Sequence, residues 1–61
     1  MTSILIVEDE RNLSNVIRDR LQEEGYRVLQ AFDGPSALAM AHDRAPDLIV
    51  LDIMLPGLDG L

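Results

Sequence analysis

Glu8, Asp9 and Asp52 are the residues of this chain best equipped for chemistry. Glu8 and Asp9 follow the apolar run Ile4-Leu5-Ile6-Val7, and Asp52 follows the apolar run Leu48-Ile49-Val50-Leu51. Brought together, three carboxylates repel one another and need protons or a cation. Carboxylate oxygens are hard ligands, suited to Mg²⁺, Mn²⁺ or Ca²⁺ rather than zinc. Magnesium keeps several waters and commonly uses one or two carboxylates plus phosphate oxygens. Such a site can present a phosphorylated donor to a nucleophile. Asp52 could be that nucleophile, since carboxylates form aspartyl-phosphate intermediates. The ion would neutralise charge on the transferring phosphoryl group and hold it in line.

The two apolar runs decide whether these acids meet. An uninterrupted aliphatic run is a strand buried on both faces, as in a parallel sheet covered by helices. In such sheets ligands sit beyond the carboxyl ends of the strands. Neighbouring strands would therefore bring Glu8, Asp9 and Asp52 to one spot. The remaining sequence supplies the connections. Strand one is read over Ser3–Val7 and helix one over 12–24, with Leu13, Val16, Ile17 and Leu21 forming its apolar face. Gly25 supplies the left-handed residue that ends such a helix. Strand two is read over 26–31; Arg27 and Gln30 interrupt it, which suits an edge. Asp33-Gly34-Pro35 is turn chemistry with proline at the first helical position. Helix two follows over 35–44, with Ala37, Leu38 and Ala41 facing inward. Ala45-Pro46 stops it, because a residue before proline avoids helical geometry. Strand three covers 47–51, and 52–61 is loop, with Pro56, Gly57 and Gly60 as turn residues. The order is β-α-β-α-β, an α/β class with a parallel sheet and right-handed crossovers. There are no internal repeats, linkers or low-complexity stretches.

Composition narrows the function classes. Eleven acids against five arginines give a net charge of −6, and there is no lysine. The arginines are scattered and form no basic stripe, so nucleic acid and anionic membranes are not expected as direct partners. Hydrophobic residues make up 48% of the chain, too many for disorder. No apolar run approaches the ~20 residues that span a bilayer, and the N-terminus lacks the charged segment of a signal peptide. A cytoplasmic location is the default expectation. Cysteine is absent, which excludes disulfides and thiolate metal sites. Sixty-one residues allow one domain, and a chain this short buries only about 60% of the surface its unfolded form exposes.

Each acid also has a bland reading. Asp9 could cap helix one, Asp52 could sit in a turn, and Glu8 and Glu10 could be solvated. For a lone acid after a strand the bland reading is preferred; the cluster of two acidic strand ends is more specific. Other candidates are weaker. His42 has no second His or Cys beside it. Tyr26 and Phe32 flank strand two as packing residues, and Met40 is core or rim. Residues 52–60 lack the oxygen spacing and final Glu of an EF-hand loop. No glycine-rich phosphate loop follows strand one.

The segments Ile4-Leu5-Ile6-Val7-Glu8-Asp9-Glu10 and Asp47-Leu48-Ile49-Val50-Leu51-Asp52-Ile53-Met54-Leu55-Pro56-Gly57-Leu58-Asp59-Gly60, together with Gly25-Tyr26 and Asp33-Gly34, resemble the receiver domain of bacterial two-component response regulators. The resemblance covers residues 1–61 and about the first half of a receiver. It implies a flavodoxin-like sheet with strand order 2-1-3, the fold that also illustrates the switch-point rule. It implies that Asp52 is the phosphoacceptor and that Mg²⁺ is held by Glu8, Asp9, Asp52 and the backbone carbonyl of Met54. Asp9 would touch the metal directly and Glu8 through water. Pro56 and Gly60 would shape the loop. The phosphodonor would be a sensor histidine kinase, and the chain would be a signalling module rather than a turnover enzyme. The run Asp52-Ile53-Met54-Leu55-Pro56-Gly57 looks most like receivers of winged-helix transcription regulators.

Complete receivers also carry a Ser or Thr after strand four, an aromatic switch residue and a Lys after strand five. None of these segments occurs in the sequence. Loss of one transition-state donor typically costs about 10²–10³ in rate, so phosphorylation of this chain alone is expected to be impaired. Strand three would be an exposed, apolar edge in this chain, which predicts dimerisation, aggregation or a partly molten state. Two competing functions follow. One is an interaction fragment that binds a kinase or another receiver without phosphotransfer, with helix one facing the kinase by resemblance; kinase binding unchanged by Asp52→Ala would favour it. The other is a magnesium-dependent phosphohydrolase or nucleic-acid enzyme. Such enzymes commonly add a second acid two residues after the first, where this chain has Met54. Turnover of a phosphomonoester beyond one equivalent would favour it.

Overall fold

A computed structural model describes residues 1–51. The elements are β1 (Ser3–Val7), α1 (Arg11–Glu23), β2 (Arg27–Ala31), α2 (Gly34–Arg44) and β3 (Leu48–Leu51). Every expected element is present, with ends within one residue of the sequence reading. All three strands are parallel, in the order β2-β1-β3.

β1 is central because it can be apolar on both faces. Ile4, Leu5, Ile6 and Val7 are all buried. Side chains alternate across a strand, so Leu5 and Val7 share one face and Ile4 and Ile6 the other. Leu5 and Val7 cluster with Ala31, and Leu29, Ala37, Met40 and Ala41 pack against them, which sets α2 on that face. Each fully buried aliphatic side chain contributes about 1.5–3 kcal/mol. α1 covers the opposite face through a polar link. Ser14, fully buried, accepts a hydrogen bond at 2.8 Å from Gln30 Nε2, which also donates to Asn15 Oδ1 at 3.0 Å. Gln30 pairs with Ile6 in the sheet, so the amide belongs to the α1 face of β2.

The helix ends follow local chemistry. α1 starts at Glu10, whose carboxylate accepts from the backbone N–H groups of Asn12 and Leu13 at 3.2 and 2.8 Å. The cap is therefore Glu10 and not Asp9. After α1, Gly25 has φ 93° and its N–H donates to the Gln22 carbonyl at 3.0 Å, as expected for a glycine that ends a helix. α2 is capped by Asp33, which accepts from Ser36 N at 2.8 Å, and proline falls in its first turn. Its last residue before the turn is Ala45 at φ 46°, with Pro46 next. Proline disfavours a right-handed helical conformation in the preceding residue, and Ala45 adopts the left-handed one, with its N–H donating to the Ala41 carbonyl at 3.1 Å.

Two expected inward faces are corrected. Leu13 and Val16 on α1 are exposed, Val16 by 64%, while Ile17 and Leu21 are half-buried. On α2, Ala37 and Ala41 pack on the core, but Leu38 is 76% exposed. Periodicity identifies which residues could be covered. Among the described residues, the three strands and two helices do not cover the full width of both stripes. Among the described residues β3 is the sheet edge, as expected, and Leu48, Ile49 and Leu51 are exposed.

Candidate functional site

The site is built on the carboxyl ends of β1 and β2. The β1·β2 ladder continues one residue past the strand, with Glu8 N donating to the Ala31 carbonyl at 3.1 Å. That bond fixes where the chain leaves the sheet. Glu8 is 1% exposed, and its Oε1 accepts from the Glu10 N–H at 2.9 Å. The buried carboxylate thus braces its own turn. Asp9, the next residue, is exposed. One acid of the pair is held and shielded; the other is presented to solvent.

Across the sheet end lies the β2–α2 turn. Phe32 is half-buried and Asp33 exposed. The hydrogen bonds from Ser36, backbone first and side chain second, hold the Asp33 carboxyl below its usual value, with burial opposing weakly. Glu8, Asp9, Phe32 and Asp33 form the acidic mouth of a groove of about 520 Å³. Its floor is apolar, with Leu5, Val7, Ala37 and Ala41 on one side and Ile49 and Leu51 on the other.

The β1·β3 register runs from Ile4 opposite Leu48 to Val7 opposite Leu51. Both apolar runs therefore end at the same level of the sheet. Asp52 and Met54, the remaining expected site residues, lie outside the described residues, as do Pro56 and Gly60. Among the described residues there is no group of three or more metal-ligating side chains. The pair that is described fits a hard cation by donor type: Asp9 offers an exposed carboxylate, and both residues bear oxygen donors only. Mg²⁺ is content with one or two carboxylates and several waters.

The sequence reading missed two features of this edge. One is the double acceptance by Glu10 at the start of α1; glutamate is an uncommon cap, so residue type gave no cue. The other is the stacking of the Arg11 guanidinium on Phe32, with Cζ 4.1 Å from the ring centroid. Nothing in the spacing of residues 11 and 32 signals it, because the contact depends on β1·β2 register. His42 is on the surface beside Asp43, 3.3 Å away, far along α2 from the acids. Among the described residues, no helix is long and apolar enough to cross a membrane.

A parallel sheet in the order 2-1-3, with an acidic pair at the carboxyl end of its central strand, defines a flavodoxin-like α/β module. The family model for the response regulator receiver domain matches residues 4–61. The chain belongs to that family, and so to the receiving side of two-component signalling.

Proposed function

We propose that this chain accepts a phosphoryl group on Asp52 from a sensor histidine kinase, with Mg²⁺ held by Glu8, Asp9, Asp52 and the Met54 backbone carbonyl. The observation that carries the reading is the common level of the two strand ends. Val7 and Leu51 are paired, and the residues next to them in sequence are Glu8 and Asp52. The division of labour within the acidic pair also supports it. Glu8 Oε1 is engaged by the Glu10 N–H, which leaves exposed Asp9 as the direct metal ligand and suits Glu8 to contact through water. When bound, the ion supplies positive charge to the transferring phosphoryl oxygens. Transfer breaks the phosphorus–nitrogen bond of the donor histidine and forms a phosphorus–oxygen bond on Asp52. The carboxylate is the nucleophile, so no proton need be removed from it. The run 52–57 favours a receiver of the winged-helix transcription-regulator type.

Incubation with a small acyl phosphate and Mg²⁺, followed by intact-mass spectrometry, tests the reading. One phosphoryl adduct is expected in the wild type, lost in Asp52→Asn and lost on chelation of Mg²⁺. An adduct that survives Asp52→Asn would place the acceptor elsewhere. Absence of any adduct in the wild type, with donor and ion in excess, would remove phosphoacceptor activity from this chain.

A further inference from the structure

Arg11 occupies a position that helix formation does not explain. It is the first residue of α1, where the partial positive charge of the helix end disfavours a cation. Placement also separates it from the other arginines. Arg20, Arg27 and Arg44 fall at the end of α1, the start of β2 and the end of α2, toward the opposite edge of the parallel sheet. Arg18 is paired with Asp19 at 2.9 Å along α1. Arg11 alone of the five stands at the acidic edge. It makes one specific contact there, face-on to the Phe32 ring, and Phe32 in turn lines the groove beside Glu8 and Asp9. The stack therefore joins the start of α1, just after the acidic turn, to the turn after β2 at the edge of the acidic site.

We propose that the Arg11–Phe32 stack is a clasp that holds the β1–α1 turn in the shape that presents Asp9, making Arg11 a positioning residue for divalent-cation binding. The inference rests on the proposed role of Glu8 and Asp9 as the cation-binding acids. Glu8 is tied to Glu10 within the turn, and Glu10 caps α1 one residue before Arg11. Fixing the guanidinium against Phe32 consequently fixes the whole acidic turn relative to β2. The same arginine is a like charge to any bound cation, so the positioning and Coulomb effects of removing it have opposite signs. That makes the two separable.

Titration of the full chain with Mg²⁺ by calorimetry, without phosphodonor, provides the test. The clasp predicts that Arg11→Ala and Phe32→Leu each weaken Mg²⁺ binding about two- to fivefold, the scale of an exposed cation–π contact. The double variant should be no weaker than either single one, because both remove the same contact. Arg11→Lys, which keeps the charge and part of the stack, should restore some of the affinity lost in Arg11→Ala. Circular dichroism of each variant separates loss of fold from loss of the clasp, and the exposed Arg11 site makes Arg11→Lys safe to fold. Tighter Mg²⁺ binding in Arg11→Ala, with Phe32→Leu unchanged, would overturn the clasp while leaving the acidic site intact. A wild type whose Mg²⁺ binding is absent, or indifferent to Asp9→Asn, would overturn the acidic-site reading and the clasp with it.

Discussion

β1 and β3 are built from almost the same residues and end up in opposite environments. Ile4-Leu5-Ile6-Val7 is buried throughout, Leu5 with no exposed surface, whereas Leu48, Ile49 and Leu51 are 54, 45 and 64% exposed. The two segments are paired rung for rung. Strand chemistry therefore does not set burial here; position in the sheet does. β1 has a strand on each side, α1 on one face and α2 on the other. Among the described residues β3 has one neighbour, and the groove between it and α2 is open. The contrast teaches that an aliphatic run specifies a capacity for burial, and that the covering elements decide how much of it is used.

Truncating one leucine in each strand tests this most severely. Leu5→Ala should cost about 2–5 kcal/mol, the range for a buried leucine whose cavity collapses incompletely. For a small domain that is a large share of total stability. Leu48→Ala should change stability by no more than about 0.5 kcal/mol, as expected of a surface substitution. Urea unfolding followed by circular dichroism measures both. Comparable losses at the two positions would mean that β3 is as well covered as β1, contrary to the exposures.

A smaller effect probes the α1 side of β1. Ser14→Ala deletes the acceptor for Gln30 Nε2 at the one fully buried position of α1. A loss of about 1 kcal/mol is expected for a net hydrogen bond, moderated because Asn15 still accepts from the same amide. Combining it with Gln30→Ala in a double-mutant cycle should give a clearly non-additive pair. Additivity would mean that α1 is held on the sheet by its aliphatic residues alone.

The smallest effect concerns α2, which faces the open groove. Asp33 has a lowered pKa through its bonds to Ser36. Its folded value lies below its unfolded value, so its contribution is fully present above the unfolded value of about 3.9 and is lost as the pH falls through the folded one. Asp33→Asn keeps an effective cap but no titrating group. The melting temperatures of wild type and variant should therefore converge on acidification below the ordinary carboxylate range. A difference that does not change with pH would show that the cap carbonyl, not the charge, matters.

Much of this organisation was legible in the chain. β1 and β3 were legible because four consecutive aliphatic residues admit few other environments. The helix ends were legible at Gly25, Asp33 and Pro46 because each imposes a backbone geometry. Leu13, Val16 and Leu38 were misplaced because helical spacing reports a face, not what lies opposite it. Buried Ser14 was missed for the complementary reason: its partner, Gln30, looked like a residue that merely interrupts a strand. Glu8 and Asp9 were legible as a pair, with unequal roles implied by the resemblance, but not their unequal exposures. Those depend on a turn in which one carboxylate folds back on the Glu10 N–H. The Arg11–Phe32 stack was invisible, since it joins residues brought together only by the pairing of two strands.

The Asp47 carboxylate, at the far end of the sheet from the acids, has a bearing on folding. It accepts from Ser3 N at 2.8 Å and from Ser3 Oγ at 3.3 Å, while Asp47 N donates to the Ser3 carbonyl at 2.9 Å. These bonds close a segment of 44 residues, against 24 between the paired Ser3 and Arg27 of the β1·β2 ladder. Loop-closure entropy rises only slowly with length, by about 0.5 kcal/mol for this ratio, so the later strand is not heavily penalised. It must still choose among slipped alignments of an almost uniform aliphatic run. A charged side chain that recognises the first residue of β1 marks the zero of that scale. Four rungs and about 13 Å away, Val7 and Leu51 then meet without any polar signal of their own.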